Sequence, residues 1–196
     1  MQDVELIDLA ATLPGLMFDL KYATADNIAG YAIYRDAQAL LHPDAAAALR
    51  RSCDIARLAG FRLLVLDAYR PQQAQWHLWD ACPDADYVVP PARGSNHSRG
   101  VAIDVTLVDE AGNILEMGTG FDDMTAESHP FHPNVPQQAQ RHRLLLNAIM
   151  LGGGFVGMPT EWWHFELPDA QNYPLLSDRF ACVSRADRAP VSDIAR

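Results

Sequence analysis

Lysine is almost missing from this 196-residue chain: Lys21 is the only one among fifteen basic residues. Against them stand 25 aspartates and glutamates, for a formal net charge of −10. That balance argues against nucleic acid or an anionic membrane as a general partner, since both need a cationic field, and it leaves room for a local positive site. Cysteine is sparse too. Cys53, Cys82 and Cys182 are odd in number, far apart and without C-x-x-C spacing. They read as reduced thiols buried as small apolar residues, not as a disulfide framework. No run approaches the roughly 18 apolar residues of a membrane span. Met1-Gln2-Asp3-Val4-Glu5 carries acid where a signal peptide needs base, and Asp8 interrupts any apolar region behind it; a cytoplasmic protein is expected. Gly152-Gly153-Gly154 is followed by no Lys-Ser/Thr pair, so a phosphate loop is excluded. With no internal repeat or linker, residues 1–196 read as one domain, long enough to bury a real core. Residues 178–196 are polar with little period, and a loosely packed tail is expected there.

What is present centres on Ser95-Asn96-His97-Ser98-Arg99-Gly100-Val101-Ala102-Ile103-Asp104. From Val101 the residues alternate. Val101, Ile103, Val105 and Leu107 share one strand face, and Ala102, Asp104 and Thr106 the other. A carboxylate in a strand that otherwise reads as core needs a partner, because an unpaired buried charge is very costly. A metal ion or an arginine would serve. Gly100 lets the chain bend, so that His97 folds back to the side of Asp104. The plainer reading, a surface hairpin with a solvated Asp, has about equal weight on this segment alone.

A second segment, Thr160-Glu161-Trp162-Trp163-His164-Phe165-Glu166-Leu167, shifts the balance. As a strand it places Trp162, His164 and Glu166 on one face. Glu161 and His164 would point apart in a regular strand, so Glu161 must sit at the strand's lip, after the loop Gly157-Met158-Pro159. Taken alone, His164 reads as a core histidine between tryptophans. With the first segment, His97, Asp104 and His164 supply the three protein ligands of a catalytic Zn²⁺ site, and Glu161 is left as the base that takes a proton from water. His129 and His132 compete as ligands but rank lower, since a proline-flanked loop holds them.

The spacing Ser-x-His-x-x-Gly-x-Ala-x-Asp followed by Glu-x-x-His resembles the zinc D-alanyl-D-alanine dipeptidases. Further stretches match in order: residues 21–27 (Lys-Tyr-Ala-Thr-Ala-Asp-Asn), 67–71 (Asp-Ala-Tyr-Arg-Pro) and 117–122 (Met-Gly-Thr-Gly-Phe-Asp). The resemblance covers most of the chain, from Lys21 to Glu166. It implies one Zn²⁺ per chain and a small D,D-dipeptide as substrate. It implies that Asp122 binds the substrate's free ammonium, that Tyr22 lies near the amino end, and that Ser95 lies near the substrate, at its carboxylate. Without it, Asp122 is a solvated loop acid and Tyr22 a half-buried aromatic. Arg70 sits at a strand-to-helix junction. From the residues alone it reads as an ion pair with Asp67; the resemblance makes it a guanidinium aimed at the carbonyl oxygen that becomes an oxyanion.

Along the chain, strands are expected over 16–20, 61–67, 101–107, 114–117, 155–156 and 162–167, with a hairpin turn at 109–113. Helices are expected over 45–58, opened by Pro43-Asp44 with Leu49, Ile55 and Leu58 on one face; over 72–81 after Pro71; and over 137–151. In the last, Leu144, Leu145, Ala148, Ile149 and Leu151 form the apolar face, with Arg141 and Arg143 outside it or at its edge. Residues 118–136 read as a long functional loop. The expected fold is α+β, with helices packed on a mostly antiparallel sheet of the hedgehog/D,D-peptidase type. Three functions compete: the D,D-dipeptidase, in antibiotic resistance or wall-dipeptide recycling; a D,D-carboxypeptidase or endopeptidase trimming peptidoglycan; and a non-catalytic zinc protein of the same fold. Glu161 and Arg70 argue against the third, since a binder needs neither.

Overall fold

The computed structural model describes residues 4–185. A short pair of strands, β1 (Ile7–Asp8) and β3 (Leu40–Leu41), runs antiparallel beside the main sheet. The main sheet has five strands: β2 (Met17–Phe18), β4 (Arg62–Asp67), β5 (Ala102–Val108), β6 (Val156–Gly157) and β7 (His164–Glu166). Their order is β2-β4-β5-β7-β6, parallel only between β2 and β4. Among the described residues the helices are α1 (Leu9–Thr12), α2 (Pro43–Leu58), α3 (Gln72–Ala81) and α4 (Gln137–Gly153). The α+β expectation and the mostly antiparallel sheet are observed.

The central strands form where the apolar runs are densest. All of β5 is buried, Asp104 and Thr106 included. α2 packs on α4 and on β4. The helix pair is close because its seam is small. Ala45, Ala48, Leu49, Ser52 and Ala56 are the buried face of α2, while Leu58, expected inside, is 88% exposed. Across the seam, a Cβ at Gly153 would lie 1.9 Å from Ser52 Oγ and 2.9 Å from the Ala48 carbonyl oxygen. Only glycine fits there, so the first two glycines of the triplet belong to α4, and Gly154, at φ 107°, ends it.

Of the two roles the sequence leaves open for Asp44, cap or first-turn acid, it takes the second: the α2 cap is the side chain of His42, which accepts from the Asp44 N–H at 3.2 Å. Three further expectations are corrected. Residues 114–117 form no strand: they bond through Ile114 and the Leu115 N–H, then leave where Arg143 Nε binds the Met117 carbonyl. The strand expected over 162–167 narrows to β7. On α4 the buried residues are Ala139, Arg143, Leu146, Ile149, Met150 and Gly153, while Leu144 and Leu151 are exposed.

Of the stretch expected as a loose tail, residues 186–196 lie outside the described residues. Phe180 and Cys182 are buried against Tyr34, Tyr69 and Leu78. Asp178 accepts the first N–H of α3, from Gln72, at 2.6 Å, where Pro71 provides no side-chain cap. Asp178→Ala is therefore expected to lower stability by about 1 kcal/mol, the usual cost of losing a helix cap. Urea unfolding beside the parent checks this; an unchanged midpoint would show that the contact contributes nothing.

Candidate active site

The site lies where β4, β5 and β7 meet. Asp104 on β5 pairs in register with His164 on β7 on one side and Asp67 on β4 on the other. His97 reaches the same point from a short 3-10 turn, His97–Arg99, which Gly100 closes at φ 72°. A Cβ on Gly100 would also crowd His42 N and Leu6, each at 3.1 Å. The bend expected at this glycine is thus real, and it is what turns the imidazole back toward the strand.

Three ligand atoms converge. His97 Nε2 lies 3.1 Å from His164 Nδ1 and 3.4 Å from Asp104 Oδ1, and His164 Nδ1 lies 3.1 Å from Asp104 Oδ1. Around a tetrahedral ion with bonds near 2.0–2.1 Å the ligand atoms stand about 3.3 Å apart. The other nitrogens fix both rings. His97 Nδ1 donates to the Ala68 carbonyl at 2.7 Å, and His164 Nε2 donates to Glu166 at 3.1 Å. Each inward nitrogen is left with its lone pair. Two lone pairs and a carboxylate facing one another repel unless a positive charge lies between them, so the cluster fits a metal ion. His97, Asp104 and His164 are also the group of potential ligands found among the described residues; His129 and His132 do not join it.

Without an ion the cluster must hold a proton. Burial pulls the His164 pKa down, but the carboxylates of Asp104 and Glu166 raise it to about 10. Asp104 moves the other way: burial opposes ionisation, and the two imidazoles still hold it well below the usual carboxylate range.

Around the cluster stand the remaining residues. Glu161 lies just before β7, its carboxylate 4.0 Å from His164 Nδ1. Burial, only partly offset by His164, pushes its pKa up to about 7. Arg70 is buried: Nε donates to Asp67 at 2.9 Å and Nη1 to Gln75 at 3.1 Å, while Nη2 comes within 3.5 Å of Asp104. The ion pair with Asp67 is therefore present, and it aims the guanidinium. The Tyr22 ring lies 4.9 Å under that guanidinium. The Tyr22 hydroxyl donates to Asp122 at 3.0 Å, and the Ile28 N–H donates to the other Asp122 oxygen. Asp122 is not solvated; burial raises its pKa to about 7, against the pull of the Ile28 N–H. Ser95 accepts the His97 N–H at 3.2 Å. One cavity of about 450 Å3, counting its open mouth, is lined by Tyr22, Arg70, Ser95, His97, Asp104, Asp122, Glu161 and His164 together. Asp67, Gln75 and Glu166 each fix a site side chain. The Asp67 pair with Arg70 was expected from the sequence; Gln75 and Glu166 were not read as supports, and only Glu166 had a signal, its shared face with His164.

A buried carboxylate beside a three-ligand cluster, with a fixed guanidinium in the same cleft, is a set suited to metal-assisted hydrolysis. The sequence agrees. Residues 2–186 match the peptidase family model described as D-ala-D-ala dipeptidase. The chain is 64% identical over 178 residues to a D-alanyl-D-alanine dipeptidase of Escherichia coli, covering 91% of this chain and 92% of that one. It is 32% identical to a D-alanyl-D-alanine dipeptidase of Enterococcus faecium, over 82% and 89% of the two chains. In backbone, the crystal structure of a vancomycin resistance D,D-pentapeptidase VanY mutant with Zn(II) aligns at a TM-score of 0.48 with 15% identity, over 86% of this chain and 81% of that one. The chain belongs to the D-ala-D-ala dipeptidase family.

Proposed function

We propose that this protein hydrolyses free D-Ala-D-Ala to two D-alanines, as a single catalytic domain with one Zn²⁺ held by His97, Asp104 and His164. The observation that carries the reading is the shared cavity, which holds a hydrolytic cluster together with Asp122, a buried carboxylate suited to a substrate ammonium. The ion, when bound, supplies a Lewis acid that makes water nucleophilic near neutral pH and polarises the scissile carbonyl. Glu161 takes the proton of the attacking water on its carboxylate and delivers it to the departing amine, so the amide bond breaks to one acid and one amine. Burial raises the Glu161 carboxyl and a bound cation would draw it back down, so the residue is kept within reach of both protonation states that the transfer needs. Arg70, aimed by Asp67 and Gln75, offers its Nη2 face to the oxygen that gains charge. Tyr22 steadies Asp122, and Ser95 lies where the substrate's carboxylate end would be. Asp122 for the ammonium and the Ser95 end for the carboxylate together measure out a dipeptide: an internal peptide has no ammonium for the first, and a longer chain has no carboxylate within reach of the second. We place the enzyme in the cytoplasm: its three cysteines are free, as in a reducing compartment, and no helix among the described residues is long and apolar enough to cross a membrane.

The test is amine release from D-Ala-D-Ala, L-Ala-L-Ala and N-acetyl-D-Ala-D-Ala, with and without a chelator. Chelator-sensitive cleavage of the free D,D-dipeptide alone is expected. Cleavage of the acetylated form would move the reading to a carboxypeptidase, and no cleavage of any with metal bound would leave a binding protein.

A further inference from the structure

We infer that the Thr119 hydroxyl is a positioning group, joining the loop that carries Asp122 to the segment that carries Glu161. The inference rests on the roles proposed above for those two acids. Neither is held by regular structure. Asp122 lies in a long loop, in a left-handed conformation at φ 60° that aspartate tolerates better than most residues and that places it outside any ladder or helix. Glu161 precedes β7 and has no ladder partner of its own.

Tyr22 and Ile28 hold the Asp122 carboxylate, but what joins its loop to the Glu161 segment includes one saturated hydrogen-bond centre. Thr119 Oγ1 accepts from Arg143 Nη2 at 3.2 Å and from Trp162 Nε1 at 2.9 Å. It also lies 2.9 Å from Ser128 Oγ. The Ser128 hydroxyl donates to the Asp123 carbonyl, so the proton between the two hydroxyls must be the threonine's. Thr119 therefore donates once and accepts twice, which is all a hydroxyl can do. Its partners lead both ways. Ser128 ties it to the peptide next to Asp122. Trp162 is the residue after Glu161, and its own N–H donates to the Ser128 carbonyl at 3.0 Å.

Arg143 closes the frame from below. It is fully buried on α4 without a carboxylate partner in its hydrogen bonds. Nε donates to the Met117 carbonyl, and Nη1 donates to those of Glu127 and His129, at 2.6, 2.8 and 2.9 Å. A buried cation spent on three loop carbonyls and one hydroxyl fixes both ends of residues 117–129 to the helix. The hydroxyl is then one of two points where the loop meets the segment before β7, the other being the Trp162 N–H bond to the Ser128 carbonyl. This accounts for a threonine and a buried arginine that make no contact with the cavity.

The experiment compares Thr119→Val, which keeps the shape and removes the hydroxyl, with Thr119→Ser, which restores it, on the metal-loaded enzyme. Thr119→Val is expected to lower kcat/KM for D-Ala-D-Ala by about tenfold or more, since displacing positioned groups by about 1 Å costs up to ~100-fold. Thr119→Ser is expected to stay within about twofold of the parent. Ser128→Ala, which cuts only the branch to Asp123, is expected to raise KM with kcat nearly unchanged. A purely structural role would lower the melting temperature of Thr119→Val without moving kcat or KM, and that result would overturn the inference. So would a Thr119→Ser loss as large as that of valine. If Thr119→Val does not fold, Ser128→Ala decides, and an unmoved KM refutes the link. Asp122→Asn separates the two layers. If it leaves KM unmoved, the ammonium site itself is wrong; if it raises KM while Thr119→Val and Ser128→Ala do not, only the role of Thr119 fails.

Discussion

Glu161→Gln is expected to lower hydrolysis of D-Ala-D-Ala by about 10²–10⁴-fold, the usual share of a positioned acid–base group. It is also expected to make the metal-free protein more stable above pH 7. Both effects come from one cause. The cleft raises the Glu161 carboxyl from 4.5 to about 7, chiefly by burial. A carboxyl whose folded pKa is raised binds its proton more tightly in the native state. Its favourable contribution is therefore complete below the unfolded value and is lost as pH rises through about 7. Glutamine stays neutral and keeps that contribution. The gain has a ceiling of about 3 kcal/mol, from a shift near 2.5 units at 1.36 kcal/mol each. Melting in chelator should show little difference between parent and variant at pH 5 and a gain of several degrees at pH 8.5. The same offset at both pH values would mean that the Glu161 charge is not the cause. Full activity in Glu161→Gln would remove it from the mechanism. With an ion in place the gain should shrink, because a nearby cation favours the ionised carboxylate.

This trade of stability for chemistry bears on which parts of the site could be read from the sequence. The convergence of His97, Asp104 and His164 was legible because strand alternation is a local rule, and it set a carboxylate, Asp104, in a strand that otherwise reads as core. Gly100 marked the bend that returns His97, and the three-residue step from Glu161 to His164 marked a strand lip. The supports were not legible, because they come from far along the chain. Asp178 caps α3 across 106 residues, and the Ala68 carbonyl orients His97 across 29. On α4 the expected face held at Ile149 and partly at Leu145, but Leu144 and Leu151 are exposed and Arg143, read as outside the face or at its edge, is buried. Arg143 is buried because loop carbonyls satisfy its guanidinium, and no helical period carries that information. Where α2 and α4 approach closely, the seam selects alanine and serine on α2 and glycine on α4, and the larger Leu58 is left outside.

Removing the metal is expected to abolish hydrolysis and to leave a protein whose stability falls as pH rises from about 6.5 toward 10. The cluster accounts for the direction. In the ion-free protein His164 is raised to about 10 by Asp104 and Glu166. A histidine raised in this way adds stability that is complete below its unfolded pKa near 6.5 and is lost as pH rises through the folded value. The proton and the ion compete for the same lone pair on Nδ1, since Nε2 is committed to Glu166. Near pH 8 the binding of one Zn²⁺ should therefore release about one proton, and apparent affinity should rise about tenfold per pH unit until His164 titrates. Calorimetry in buffers of different ionisation enthalpy counts that proton directly. Melting curves with and without chelator should diverge as pH rises, because the loaded protein no longer depends on the proton. Metal uptake without proton release, with an affinity flat from pH 7 to 9, would mean that the inward nitrogens are already deprotonated. The two carboxylates would then not be holding His164 in its charged form, and the repulsion among the three ligand atoms would have to be relieved by their moving apart.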